Sequence, residues 1–162
     1  MTAAVAVRRP AAGLAAVLTA VLLALAGCGG DESVKEGNAY VAKVNKAQTT
    51  FAQTIRRINR QVTAKSTAAQ DRATLGDYIK AVDGVVARLR AIKPPEGVAP
   101  LHQRLVRSID HYGREVESAA NSLEDPTADR LLEAQQTLLD ATETVTRQIN
   151  GTIADINTKL RS

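Results

Sequence analysis

The chain contains one cysteine, Cys28, directly after Leu25, Ala26 and Gly27. A thiol is the side chain that can take an acyl-bearing carbon as a stable thioether. Ala26 and Gly27 are small enough to let a processing protease reach the backbone beside it. With a single cysteine, no disulfide can form within the chain. Other nucleophile signatures are missing. There is no G-x-S-x-G or S-x-x-K motif, and activated serines usually sit in such contexts. Gly-rich phosphate loops are absent as well. The expectation is a protein that is not an enzyme, with no catalytic residues and no cofactor.

The two histidines, His102 and His111, are nine positions apart. At about 100° per residue they fall on opposite faces of one helix, so they cannot share a ligand. Glu-x-x-His and C-x-x-C-H occur nowhere, which removes the usual di-iron and attached-haem patterns. His111 and Glu115 share a face, yet two ligands make at most half a zinc site. They read as a solvated pair. His102 flanks the apolar seam just after Pro94-Pro95, where a histidine packs and finds a hydrogen bond or lines a crevice. No metal is expected.

The most informative charges lie between Lys35 and Lys65. Lys35, Lys43, Lys46, Arg56, Arg57, Arg60 and Lys65 stand against Glu36, seven minus one, or +6. Lys43, Lys46, Arg57 and Arg60 form one helical stripe with Thr50 and Gln53. It points roughly 130° away from the apolar stripe of the same segment, and so toward water. Such a stripe is either a plain solvated face or a contact for anionic lipid or an anionic envelope polymer. A third reading pairs it within the chain. The acids Asp110, Glu115, Glu117, Glu124 and Asp125 of a later segment would be its partners. The formal charge of the whole chain is +4. Removing Arg8 and Arg9 leaves 19 bases against 17 acids, or +2. That balance gives no support to nucleic-acid binding. Aromatic residues are 2%, too few for base- or sugar-stacking platforms.

These groups need positioning elements. Arg8 and Arg9 precede an uncharged run from Ala11 to Ala24. Its length suits the h-region of a signal peptide and falls short of the ~20 residues of a membrane-spanning helix. With Leu25-Ala26-Gly27-Cys28 behind it, this region resembles the lipobox of bacterial lipoprotein precursors. The resemblance implies diacylglyceryl transfer to Cys28, cleavage before it and acylation of the new amino terminus. It also implies a cell-membrane location on the extracytoplasmic side. Pro10 and Ala11 follow the Arg pair where a twin-arginine signal has a polar residue and then Phe or Leu, so general secretion is expected. The Ala/Arg-rich composition is similar to that of small helical lipoproteins of actinobacterial type, themselves uncharacterised. The stretch from Leu89 to Leu105 is similar to turns in many secreted helical proteins.

Three regions follow: a signal peptide at 1–27, the lipidated Cys28 with a polar tether to 34, and a helical domain at 35–162. In the last, apolar residues recur at steps of three and four. The first stripe is Tyr40, Val44, Ala47, Phe51, Ile55, Ile58 and Val62. Leu75, Ile79, Val82, Val86 and Leu89 make the second, behind a Thr67–Gln70 capping box. A third runs Leu101, Leu105, Ile109, Tyr112, Val116, Ala119 and Leu123. The fourth opens on Asp125 as cap and Pro126 at the first helical position. It continues through Leu131, Gln135, Leu138, Thr142, Val145, Ile149, Ile153, Ile156 and Leu160. Gln135 and Thr142 are polar breaks that either fix register or line a small-ligand cavity. Short connections make consecutive helices antiparallel neighbours. The expected fold is all-α, an antiparallel up-down-up-down four-helix bundle. Three helices with 35–64 as a stalk is the alternative. The expected role is a membrane-anchored binding module. A small-ligand or metal-binding sensor or carrier using the bundle interior is the alternative.

Overall fold

Apolar side chains at steps of three and four become helices wherever the chain is described. The computed structural model describes residues 32–60, 68–122 and 127–161. Within them it is all-helical, with four α-helices and no strand. They are α1 (Glu32–Asn59), α2 (Ala68–Arg90), α3 (Ala99–Ser122) and α4 (Ala128–Arg161). Glu32 sits in the first turn of α1 and Arg56 and Arg57 in its last. Both placements suit the helix dipole. α1 opens three residues earlier than expected, inside the stretch read as tether. Residues 1–31, including Leu25, Ala26, Gly27 and Cys28, which the sequence reading takes as a lipobox, lie outside the described residues.

α2 stops before Pro94-Pro95, since a residue preceding proline avoids helical dihedrals. Pro95 has φ −56° and ψ 148°. A single 3₁₀ turn, Glu96–Val98, then leads directly into α3. Val98 is buried there. The cap of α4 differs from expectation. Thr127 Oγ1 accepts from the Arg130 amide at 3.3 Å, so the helix opens at Ala128, two residues later than a start at Pro126. Threonine, like aspartate, is among the preferred N-cap residues. Asp125, Pro126 and Thr67 lie outside the described residues.

α1 packs on α2, α2 on α3 and α3 on α4. The core runs through all four helices. Six of the seven α1 stripe residues are buried, Val62 lying outside the described residues. In α3 and α4 the described stripes are likewise mostly buried, with Leu101, Leu138, Thr142 and Leu160 half-buried. α2 is rotated from its expected face. Leu75 and Ile79 are half-buried, while Tyr78 and Val85 are buried beside Val82 and Leu89. The rotation follows from Tyr78, whose hydroxyl finds a partner inside. One close approach fixes the α2–α3 distance. A Cβ placed on Gly113 would lie 3.1 Å from Val82 Cγ1, so glycine is what allows these helices to meet there. No helix among the described residues is long and apolar enough to cross a membrane.

Candidate functional site

The basic stripe is the outer wall of α1. The same helix that buries Tyr40, Val44, Phe51 and Ile55 holds Lys43, Lys46 and Arg57 on another face, because a 3.6-residue repeat separates the two sets, and Arg60 follows in the turn directly after Asn59. All four are exposed. None of their side chains has an ion pair or hydrogen bond with a described residue. The hydroxyls along the stripe do not reach outward. Thr50 donates to the Lys46 carbonyl at 2.9 Å and Thr54 to the Thr50 carbonyl at 3.0 Å. The stripe is therefore cationic and offers ammonium and guanidinium donors to solvent.

Among the described residues, intramolecular pairing of this stripe with Asp110, Glu115 or Glu117 of α3, one of the sequence readings, is not what forms; Glu124 and Asp125 lie outside the described residues. Asp110 is held by Arg90 of α2 at 2.9 Å and by Arg114 of its own helix. Glu115 faces His111, Nδ1 to Oε1, at 3.7 Å. These acids have nearer bases on α2 and α3. The His111–Glu115 pair is solvent-exposed, as its helical face predicts.

Inside, two small polar groups tie helices together. His102 is buried between Tyr40 and the end of α2. Its Nε2 lies 3.0 Å from the Leu89 carbonyl and its Nδ1 3.1 Å from the Tyr40 hydroxyl. The carbonyl can only accept, so Nε2 carries the hydrogen and Nδ1 accepts from Tyr40. Burial lowers the His102 pKa below the ordinary histidine value, with the Leu89 carbonyl acting weakly against it. The imidazole is neutral at pH 7. Burial pushes the Tyr40 hydroxyl up to about 12. The second group is Tyr78, whose hydroxyl is 2.9 Å from that of Tyr112. Thr142 Oγ1 is a longer 3.4 Å from Tyr112. Burial first, and then the neighbouring Tyr112, raises the Tyr78 pKa. Sequence reasoning placed Tyr112 and Thr142 in the interior and missed Tyr78. Its step-four spacing to Val82 was the available signal. The side chain of Gln135 lies outside the described residues.

Between these tyrosines and the apolar side chains of all four helices lies a cavity of about 20 Å³. That is room for about one water molecule. No group of three or more His, Cys, Asp or Glu residues that could hold a metal occurs among the described residues.

Comparison with known families covers this same ground. A match to the family described as domain of unknown function DUF7018 runs over residues 34–150, more than two-thirds of the chain. The chain belongs to that family. No curated protein and no solved structure matches it. The DUF7018 region takes in all four stripe residues, His102 and both buried tyrosine contacts. Leu25-Ala26-Gly27-Cys28 precedes it.

Proposed function

We propose that this DUF7018 chain is a membrane-anchored, extracytoplasmic lipoprotein, held by lipid on Cys28, that docks the basic face of α1 on anionic lipid headgroups. It is a binding module rather than an enzyme. The observation that carries the reading is that Lys43, Lys46, Arg57 and Arg60 share one exposed face without a partner among the described residues. Leu25-Ala26-Gly27-Cys28 behind an uncharged run supports the anchor. Two or more acyl chains anchor stably where one does not. The anchor confines α1 near headgroups, where each base contributes about 1 kcal/mol.

The four helices form an antiparallel up-down-up-down bundle in this reading. Its support is the pattern of contacts. Gly37 of α1 approaches Leu160 of α4, and Tyr40 reaches His102, which reaches Leu89. Tyr78 meets Tyr112 and Arg104 meets Asp155. Gly37–Leu160, His102–Leu89 and Arg104–Asp155 each join a place early in one helix to one late in another, Tyr78–Tyr112 joins two helix middles, and Tyr40–His102 joins the starts of two helices that are two apart in sequence.

The test is charge reversal. Lys43, Lys46, Arg57 and Arg60 all changed to Glu should end binding to phosphatidylglycerol vesicles while the unfolding midpoint stays close to wild type. Wild-type binding to an anionic envelope polymer and not to vesicles would move the partner class. Binding to neither would reject the docking face.

A further inference from the structure

The outer groove between α3 and α4 has a composition that the α1 stripe does not explain. It encloses about 580 Å³, within the range of small-molecule sites, about 300–1,000 Å³. Arg104, Arg107 and Arg114 line it from α3, and Arg147 from α4. We infer that this groove binds a soluble small molecule through an oxyanion, either phosphate or carboxylate.

Three of the arginines are already engaged. Arg104 crosses the groove to Asp155 at 3.3 Å, Arg147 holds Glu143 at 3.0 Å, and Arg114 holds Asp110. Exposed pairs of this kind are worth only about 0–1 kcal/mol. A multiply charged ligand can therefore exchange with them. Arg107 is exposed and has no partner among the described residues. Its planar fork matches an oxyanion bidentately, which lysines cannot do.

A second, independent observation is Thr152. It is 2% exposed and lines the groove. Thr146 and Thr158 on the same helix turn their hydroxyls back to the carbonyls of Thr142 and Ala154, at 2.7 and 3.0 Å. Thr152 makes no hydrogen bond with a described residue. Its hydroxyl is not an enclosed polar atom without a partner, Asn157 Oδ1 being the one found among the described residues, so it opens to the same cleft that Arg107 lines. Gly151 lines that cleft beside open space, where a Cβ would meet nothing within 4 Å. A free guanidinium, a hydroxyl without a partner and an open glycine together describe an anion cradle. It is separate from the α1 face and does not depend on it.

The test is thermal unfolding of the full chain in non-ionic detergent, with inorganic pyrophosphate or citrate as probe and sodium chloride at equal ionic strength as reference. Pyrophosphate, citrate or both should raise the midpoint above the chloride reference, because a ligand that binds the folded state stabilises it. The probe that acts identifies the oxyanion. Arg107→Ala should weaken the apparent affinity about tenfold, the scale of one lost charge-assisted hydrogen bond. Gly151→Met should block binding without changing charge, and Thr152→Val should weaken it. The chain with Glu at 43, 46, 57 and 60 should keep the full shift. Midpoints without probe show whether each variant folds. The inference fails if neither probe acts beyond chloride, or if the groove variants respond like wild type. It also fails if the α1 variant loses the shift equally, which would mark a general charge effect.

Discussion

The Tyr40 hydroxyl donates to His102 Nδ1 at 3.1 Å while the opposite ring nitrogen donates to the Leu89 carbonyl, so one imidazole joins three helices. Leu89 is near the end of α2, and its carbonyl also accepts from the Ile92 amide at 3.0 Å, so His102 is its second donor. Tyr40→Phe should cost about 1 kcal/mol, the net worth of one hydrogen bond. His102→Ala should cost more, because it leaves the buried Tyr40 hydroxyl without its partner, takes one of two donors from the Leu89 carbonyl and opens a cavity. Denaturant midpoints of the two variants check the order.

The same contact sets a pH dependence. The folded His102 pKa lies below the unfolded value of about 6.5, so the unfolded chain binds the proton first as pH falls. Its contribution is fully present above about pH 6.5 and is lost progressively below it, down through the folded pKa. Wild-type stability should therefore fall between pH 7.5 and pH 5 by more than that of His102→Gln. Equal slopes for the two chains would remove His102 as the cause.

Gly113 and Val82 offer a packing test. Alanine usually stabilises a helix interior relative to glycine by about 0.5–1 kcal/mol. At Gly113 the new methyl would lie 3.1 Å from Val82 Cγ1, and Val82 is fully buried. Gly113→Ala should therefore destabilise, and pairing it with Val82→Ala should recover part of the loss in a double-mutant cycle. Gly151→Ala has free space and should be neutral or stabilising by less than about 1 kcal/mol. Leu105→Ala, at a fully buried site, should cost about 2–5 kcal/mol.

Much of the fold was legible because helix periodicity is local. Val44, Phe51, Leu105, Val116 and Ile149 lie in the core where a count by threes and fours puts them. What was missed depended on partners far away in the chain. Tyr78 reads as a half-polar residue until Tyr112 is opposite it, and α2 turns accordingly. Thr152 lies three after Ile149 and four before Ile156 and is buried with them; its place was legible, and its polar side chain hid it. The α1 stripe was legible, since its four residues and their direction follow from one helix alone. The α3–α4 groove was not, because its walls come from segments about forty residues apart.

Lipidation has its own test. Cys28→Ala should abolish incorporation of labelled palmitate in a bacterial host and release the chain from membranes after a high-salt wash. A Cys28→Ala chain that stays with the washed membrane fraction would contradict the lipid anchor, whatever α1 does.

The central claim is that α1 reads anionic headgroups by charge, and a salt titration addresses it most directly. Residues 30–162, free of the anchor, would be mixed with phosphatidylglycerol vesicles and with phosphatidylcholine vesicles. Co-flotation would be measured as ionic strength is raised. The account predicts binding to the anionic vesicles at low salt. That binding should fade as the Debye length shrinks to about 8 Å near physiological ionic strength. It should be absent on neutral vesicles and absent when Lys43, Lys46, Arg57 and Arg60 are Glu. Wild-type protein that ignores anionic vesicles at low salt, or a four-Glu variant that binds them equally, would contradict it.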